Sequence, residues 1–167
     1  WIHGGAYVDG SSNLYTPDTL VARSNNSIIA VTLNYRLNIF GFLGGDDVQK
    51  RSNDGSAGNF GIQDQRLAIQ WVKDNIAAFG GNGDDITIFG ESAGGNSVFN
   101  HLTQKASFPL YKKAIIESGV YNEGAFSFQH SNAEYTKAKE TTLCPTLDCM
   151  LTRTSKELLD ASGAMAA

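Results

Sequence analysis

Between residues 86 and 94 the chain reads Ile86-Thr87-Ile88-Phe89-Gly90-Glu91-Ser92-Ala93-Gly94. A β-branched, apolar run bounded by glycine reads as a strand. The serine flanked two places away by Gly90 and Gly94 is a G-x-S-x-G, which requires a strand, a sharp turn and then a helix. The requirement is steric. Ser92 has to sit on strained backbone with its hydroxyl projecting, so the positions two residues away must be nearly without side chains. A helix opening after Ser92 would aim its positive end at any oxyanion formed beside that hydroxyl. The alternative reading is a tight strand-to-helix turn with no chemistry attached.

The rest of the chain continues the same alternation of short apolar runs with helical patterns, which predicts βαβ units and a parallel sheet. Ser27 to Leu33 is β-branched and apolar on both faces, as a buried parallel strand should be. Ala114-Ile115-Ile116 is a further strand, and Trp1-Ile2 is the tail of another. Thr16-Pro17-Asp18 predicts a helix start with a capping hydroxyl, a proline and an acid in the first turn. A long helix is expected from Ile62 to Phe79, where Ile69, Val72, Ile76 and Phe79 form one apolar stripe and Gly80-Gly81 ends it. Further helices are expected after Ser92, over about Asn132 to Thr142, and from Ser155 to Ala161 behind a serine cap.

A second signal stands at the start. His3-Gly4-Gly5-Ala6 follows the Trp1-Ile2 strand end, and small residues there let backbone N–H groups point into a site, as an oxyanion hole needs. A plain glycine-rich turn is the other reading. Set beside the serine elbow, the two loops make the halves of one acyl-transfer device.

Composition removes other classes. With 167 residues the chain has room for one domain. Thirteen Lys and Arg against 17 Asp and Glu give a net charge of −4, unlike the basic surplus of a nucleic-acid binder. In the first half the longest solid apolar run, Ile28 to Val31, is far short of a membrane span. No G-x-G-x-x-G opens a helix after a strand, which removes a dinucleotide cofactor. No second Cys or His pair sits at zinc-ligand spacing, so neither metal nor cofactor is expected. Cys144 and Cys149 are close enough to close a small loop, but on spacing alone two free thiols are equally open.

These residues reach a known family. The chain resembles the type-B carboxylesterases, the group of cholinesterases, liver-type carboxylesterases and some fungal lipases. The resemblance runs in order through Trp1-Ile2-His3-Gly4-Gly5-Ala6, Leu33-Asn34-Tyr35-Arg36 and Phe40-Gly41-Phe42-Leu43. It continues through Gly58 to Ala68, Trp71-Val72, Phe79-Gly80-Gly81 and Phe89 to Gly95. The resemblance implies an α/β-hydrolase fold, present in part, with a central, mostly parallel sheet flanked by helices. Residues 1–167 would be a piece from the N-terminal half of a single catalytic domain.

By the same resemblance Ser92 is the nucleophile and the N–H groups of Gly5, Ala6 and Ala93 form the oxyanion hole. Glu91 would add negative field, while His3, Gly4, Gly90 and Gly94 would shape the two loops, His3 through hydrogen bonds. Cys144 and Cys149 match a family disulfide, which together with the acceptor pattern at Asn25 implies a secreted or lumenal protein. Asn25-Asn26-Ser27 is a glycosylation acceptor pattern of a kind that also occurs often by chance and needs a secreted chain. Arg36, Asp64 and Arg66 read as ties between helix and loop.

The family's triad runs Ser, then acid, then His, and after Ser92 only His101 and His130 occur. His101 falls about 13 Å along the helix axis from Ser92, out of reach of its hydroxyl, and His130 shows no partner in the sequence. The acid and histidine are therefore expected beyond this segment. The implied activity is hydrolysis of a small-molecule or lipid carboxylic ester through an acyl-enzyme. His3 and Ala6, where cholinesterases tend to have an aromatic residue and a third glycine, tilt the reading towards a general carboxylesterase or lipase. The competing reading is an esterase-like adhesion module that keeps the fold without catalysis.

Overall fold

The computed structural model describes residues 1–119 and 127–165. They fall into two compact units, Trp1–Tyr35 with Ile62–Glu123, and Arg36–Gly61 with Gly124–Ala167.

The first unit is built on a parallel sheet. Strands β1 (Thr87–Glu91) and β2 (Lys113–Glu117) pair in parallel with Phe89 opposite Ile115. On the other side of β1, Ile2 bridges Gly90 and Leu33, both in parallel. Helix α1 (Asp18–Arg23) lies between Ile2 and Leu33 in sequence, and α4 (Phe60–Asn75) precedes β1. Helix α5 (Ala93–Thr103) connects β1 to β2 and packs on both strands. Ile2, Ile69, Ile76, Ile88, Ala93 and Val98 are buried in this unit, and a fully buried aliphatic side chain is worth about 1.5–3 kcal/mol. Thr87, Phe89, Ile115 and Glu117 share the other face of the ladder and line a concavity of roughly 1050 Å³ that does not include Ser92.

The second unit carries α2 (Asn38–Phe42), α3 (Asp46–Arg51), α6 (Phe128–Thr141), α7 (Leu147–Met150) and α8 (Ser155–Met165). Val48, Tyr135, Ala138, Cys144 and Met150 form its core. Cys144 and Cys149 are joined as a disulfide, with Cα atoms 5.4 Å apart. Ser127 and Thr146 cap α6 and α7 by accepting from the N–H groups of His130 and Cys149.

Five sequence expectations need correction. Helix α6 begins at Phe128, four residues before the expected Asn132, because Ser127 caps it. Ser27 to Leu33 is not a strand: only Leu33 bridges, to Ile2 and in parallel. The residues before it lie on the Trp1 side, where the Trp1 amino group adds one bond to the Val31 carbonyl and no ladder forms among the described residues. The α1 cap is Pro17, and no side chain takes a capping bond there. The long helix begins at Phe60 and tightens to a 3-10 turn over Ile76–Phe79 before left-handed Gly80; Phe79 is 64% exposed and meets Trp71 rather than the core. At α8 the cap is Thr154, one residue earlier than expected. Its hydroxyl accepts from the Glu157 N–H at 3.3 Å, while the Glu157 carboxylate accepts from the Thr154 N–H at 2.7 Å. This is a reciprocal capping box.

Candidate active site

Ser92 sits where β1 passes into α5, with φ 55° and ψ −122°. Left-handed backbone of this kind costs an L-residue about 1–3 kcal/mol and persists only where its surroundings over-determine it. Here they do. The Ser92 N–H donates to the Glu117 carbonyl at 2.9 Å, fixing the elbow to the end of β2, and the Ser92 carbonyl accepts from the Asn96 N–H at 2.9 Å, opening α5. A methyl on Gly90 would stand 2.5 Å from the Gly94 carbonyl carbon, and one on Gly94 would stand 2.0 Å from the Ile2 carbonyl oxygen. The steric demand read from the motif is therefore physical. The Ser92 hydroxyl makes no capping bond to α5, which leaves it available to another group at the positive end of the helix.

The His3–Ala6 loop lies directly against this elbow. A methyl on Gly4 would come within 2.7 Å of the Glu91 carbonyl oxygen and 3.2 Å of Ser92 Cβ. Gly5, Ala6 and Tyr7 are all left-handed, with φ 109°, 52° and 63°. The Gly5 carbonyl accepts from the N–H groups of Val8 and Asp9, both at 3.0 Å. Among the described residues no backbone acceptor takes the N–H of Gly5 or Ala6, and Ala93 is one of the four orphan donors that open a helix. Three donors thus stand free on the two loops that meet at Ser92.

His3 is buried beneath the loop. Its Nδ1 lies 2.8 Å from the Gly4 carbonyl, so Nδ1 carries the proton, and its ring stacks on Tyr35 at 4.5 Å. The Tyr35 hydroxyl donates to the His3 carbonyl at 2.8 Å. Burial, with the nearby Tyr7 and Tyr15 phenols adding to it, drives the Tyr35 pKa up, so this phenol stays a donor at any physiological pH. Tyr35, which both stacks on the His3 ring and holds the His3 carbonyl, is a partner that the sequence alone does not single out. Glu91 ends β1 and is half-buried.

The remaining sites are spread more widely. His101 is fully buried on α5, bonded to Ser107 and Gln65. Burial chiefly, and then the Arg66 charge, hold its pKa down to about 4. It does not turn towards Ser92. His130 is exposed in the first turn of α6. Arg66 donates to Gln104 at 3.0 Å, and Arg36 lies over the Phe60 ring at 5.3 Å, both as ties between segments. Asn25 is exposed on a turn with φ 57°. Among the described residues no cluster of His, Cys, Asp and Glu is arranged to hold a metal, and no helix is long and apolar enough to cross a membrane.

The profile of the Carboxylesterase family matches residues 1–166. The chain belongs to the carboxylesterase family. It is 39% identical over 171 residues to an acetylcholinesterase of Electrophorus electricus, a match covering 96% of this chain and 26% of that protein. It is 40% identical over 168 residues to carboxylesterase 1D of Rattus norvegicus, covering 97% of this chain and 28% of that one. Among solved structures, a carboxylesterase of Geobacillus stearothermophilus superposes with a TM-score of 0.87 at 37% identity, covering 99% of this chain and 36% of the other. The fold is therefore that of the α/β-hydrolase esterases, in part, and the relatives are carboxylic ester hydrolases. The chain spans under a third of the length of these curated relatives.

Proposed function

We propose that this chain is the nucleophile-bearing part of a serine carboxylic ester hydrolase, residues 1–167 belonging to one α/β-hydrolase catalytic domain. The reading rests on one observation: Ser92, strained and uncapped at the start of α5, faces a left-handed loop whose N–H groups are unspent. Ser92 Oγ attacks the ester carbonyl carbon as its proton passes to a histidine base supplied by a full-length enzyme. The carbonyl oxygen becomes an oxyanion that accepts from the N–H groups of Gly5, Ala6 and Ala93. Collapse breaks the bond to the alcohol, which leaves with the proton returned by that histidine. Water then cleaves the resulting acyl-serine, its proton passing through the same base back to Ser92 Oγ. Each oxyanion donor of this kind is worth about 10²–10³ in rate. Nothing about the site favours the adhesion-module reading, since both the serine and the donor loop are intact.

The substrate is a small-molecule or lipid carboxylic ester, handled without metal or cofactor. The Cys144–Cys149 disulfide and the exposed Asn25 acceptor support a secreted or lumenal protein, because disulfides persist in oxidising compartments. The test is labelling of a full-length enzyme with a fluorophosphonate, followed by peptide mass spectrometry. The adduct is expected on Ser92 and absent from Ser92→Ala. An adduct elsewhere, or none, would overturn the assignment.

A further inference from the structure

Gln65, Ser97, His101 and Ser107 are all 0% exposed, and their side chains form one continuous hydrogen-bonded row. His101 Nδ1 lies 2.9 Å from Ser107 Oγ and Nε2 lies 3.1 Å from Gln65 Oε1. Gln65 Nε2 donates to Ser97 Oγ at 3.0 Å, and Ser97 Oγ donates to the Ala93 carbonyl at 2.9 Å. The proton order is fixed by the acceptors at each end. Gln65 Oε1 can only accept, so His101 Nε2 carries the hydrogen and Nδ1 accepts from Ser107. The single hydrogen of Ser97 goes to Ala93, so its second lone pair is left to accept from the Tyr7 hydroxyl, 3.4 Å away. The Asn100 side chain is a second partner of the same phenol.

Tyr7 is the residue after Ala6 and the third of the consecutive left-handed residues that present the loop's N–H groups. Two such L-residues in succession need an external hold. Val8, next in sequence, is 56% exposed and supplies none, whereas the Tyr7 phenol reaches Ser97 and Asn100, one turn apart on α5. Ser97 in turn is bonded to Ala93, whose N–H is the third donor of the site.

We infer that Tyr7 is a positioning residue: its hydroxyl, held by Ser97 and Asn100 and backed by the buried Gln65–His101–Ser107 row, locks the oxyanion loop in register with the start of α5. The inference rests on the proposed ester hydrolysis and deepens it. A loop locked this way matters only when the oxyanion forms, so loss of the lock lowers kcat and leaves KM in place.

The experiment compares full-length enzyme with Tyr7→Phe, Ser97→Ala, the double variant and Ser92→Ala on an aryl ester, with melting temperatures alongside. Tyr7→Phe keeps the ring and is expected to melt within a few degrees of the wild type while kcat falls about five- to tenfold, the worth of one neutral hydrogen bond. KM should stay within about twofold, and the double variant should be no slower than the slower single, as for two residues acting through one contact. If Tyr7→Phe turns over at the wild-type rate while Ser92→Ala is dead, the lock is refuted and the hydrolase reading stands. If Ser92→Ala retains turnover, the hydrolase reading falls and takes the lock with it.

Discussion

Gly94 lies so close to Ile2 that a methyl on its α carbon would stand 2.0 Å from the Ile2 carbonyl oxygen. That oxygen belongs to the backbone of the strand end leading into the His3–Ala6 loop, so it cannot swing aside as a side chain could. Three features are pressed together at this point: the first bridge of the sheet, the serine elbow and the first turn of α5. Overpacking a well-filled interior costs about 1–3 kcal/mol and sometimes more. Gly94→Ala is expected at or above the top of that range, with hydrolytic activity lost as the elbow shifts. Gly80 gives the contrast, because a Cβ there meets nothing within 4 Å and only its φ of 83° opposes substitution. Gly80→Ala should cost about 1–2 kcal/mol. Urea midpoints of the two variants check the order, and the reverse order would sink the argument.

Ser92 holds its strained φ of 55° with or without its oxygen. Ser92→Ala should therefore leave stability within about 0.5 kcal/mol of wild type while removing ester turnover by several orders of magnitude. Ser92→Gly removes the Cβ as well and relieves the strain, so it should be more stable than Ser92→Ala by about 1 kcal/mol. Chemical denaturation of the two inactive variants makes the comparison without interference from substrate. Equal stabilities would mean that the elbow stores no strain.

How much of this was legible in the sequence depended on how local the physics is. The elbow was legible because its signature is local, a β-branched strand, a serine and two glycines within nine residues, even though the Ile2 carbonyl that Gly94 has to clear is distant in sequence. The break at Gly80 was legible for the same reason. The segment from Ser27 to Leu33 has the composition of a strand, yet a strand requires a ladder, and its one bridging partner is the distant Ile2. Phe79 fits the stripe by spacing but follows the tightening of the helix, which rotates it to solvent. The cap of α8 lies one residue before Ser155, in the Thr154–Glu157 pair, a signature that the sequence does contain. The Gln65–His101 row has no sequence signature, since it forms only when two helices place an amide and an imidazole 3.1 Å apart.

His101 makes stability depend on pH. Its pKa falls to about 4 in the folded chain from about 6.5 when unfolded, so between these values the unfolded state binds the extra proton. Stability is then full above pH 6.5 and declines as pH drops towards 4, by an amount on the order of 3 kcal/mol. Unfolding free energies at pH 7, 5.5 and 4 test this in wild type and His101→Gln. The variant should be less stable at pH 7 and show a shallower decline. Parallel pH profiles would rule out His101 as the source.

The disulfide closes a loop with a sequence separation of only 5. Loop-closure entropy gives about 3 kcal/mol for a fifteen-residue loop and less for a shorter one. Removing it as Cys144→Ala/Cys149→Ala should cost under about 3 kcal/mol. Intact mass before and after reduction and alkylation, on material from a secretory host, should show two thiols only after reduction. Two thiols that alkylate without reductant would contradict the pairing, and a glycosidase-sensitive mass on the Asn25 peptide would add the expected glycan.

The chain 1–167 taken alone should not turn over esters. A serine hydroxyl needs a base to accept its proton, and that assistance is worth about 10²–10⁴ in rate. After Ser92 the chain contains two histidines. His101 is fully buried, with both ring nitrogens engaged by Ser107 and Gln65, and the helix places it about 13 Å along the axis from Ser92. His130 is exposed at the opening of α6. His3 has its Nδ1 committed to the Gly4 carbonyl and is 1% exposed beneath the loop. The oxyanion donors can be in place and still leave a neutral, unactivated hydroxyl. The expected result is slow or absent fluorophosphonate labelling of Ser92 and no aryl-ester hydrolysis above a Ser92→Ala blank, against rapid turnover by a full-length enzyme at equal concentration. Hydrolysis by the isolated chain that vanishes in Ser92→Ala would require a base within residues 1–167. His3→Gln, His101→Gln and His130→Gln, made singly in that chain, would then identify it.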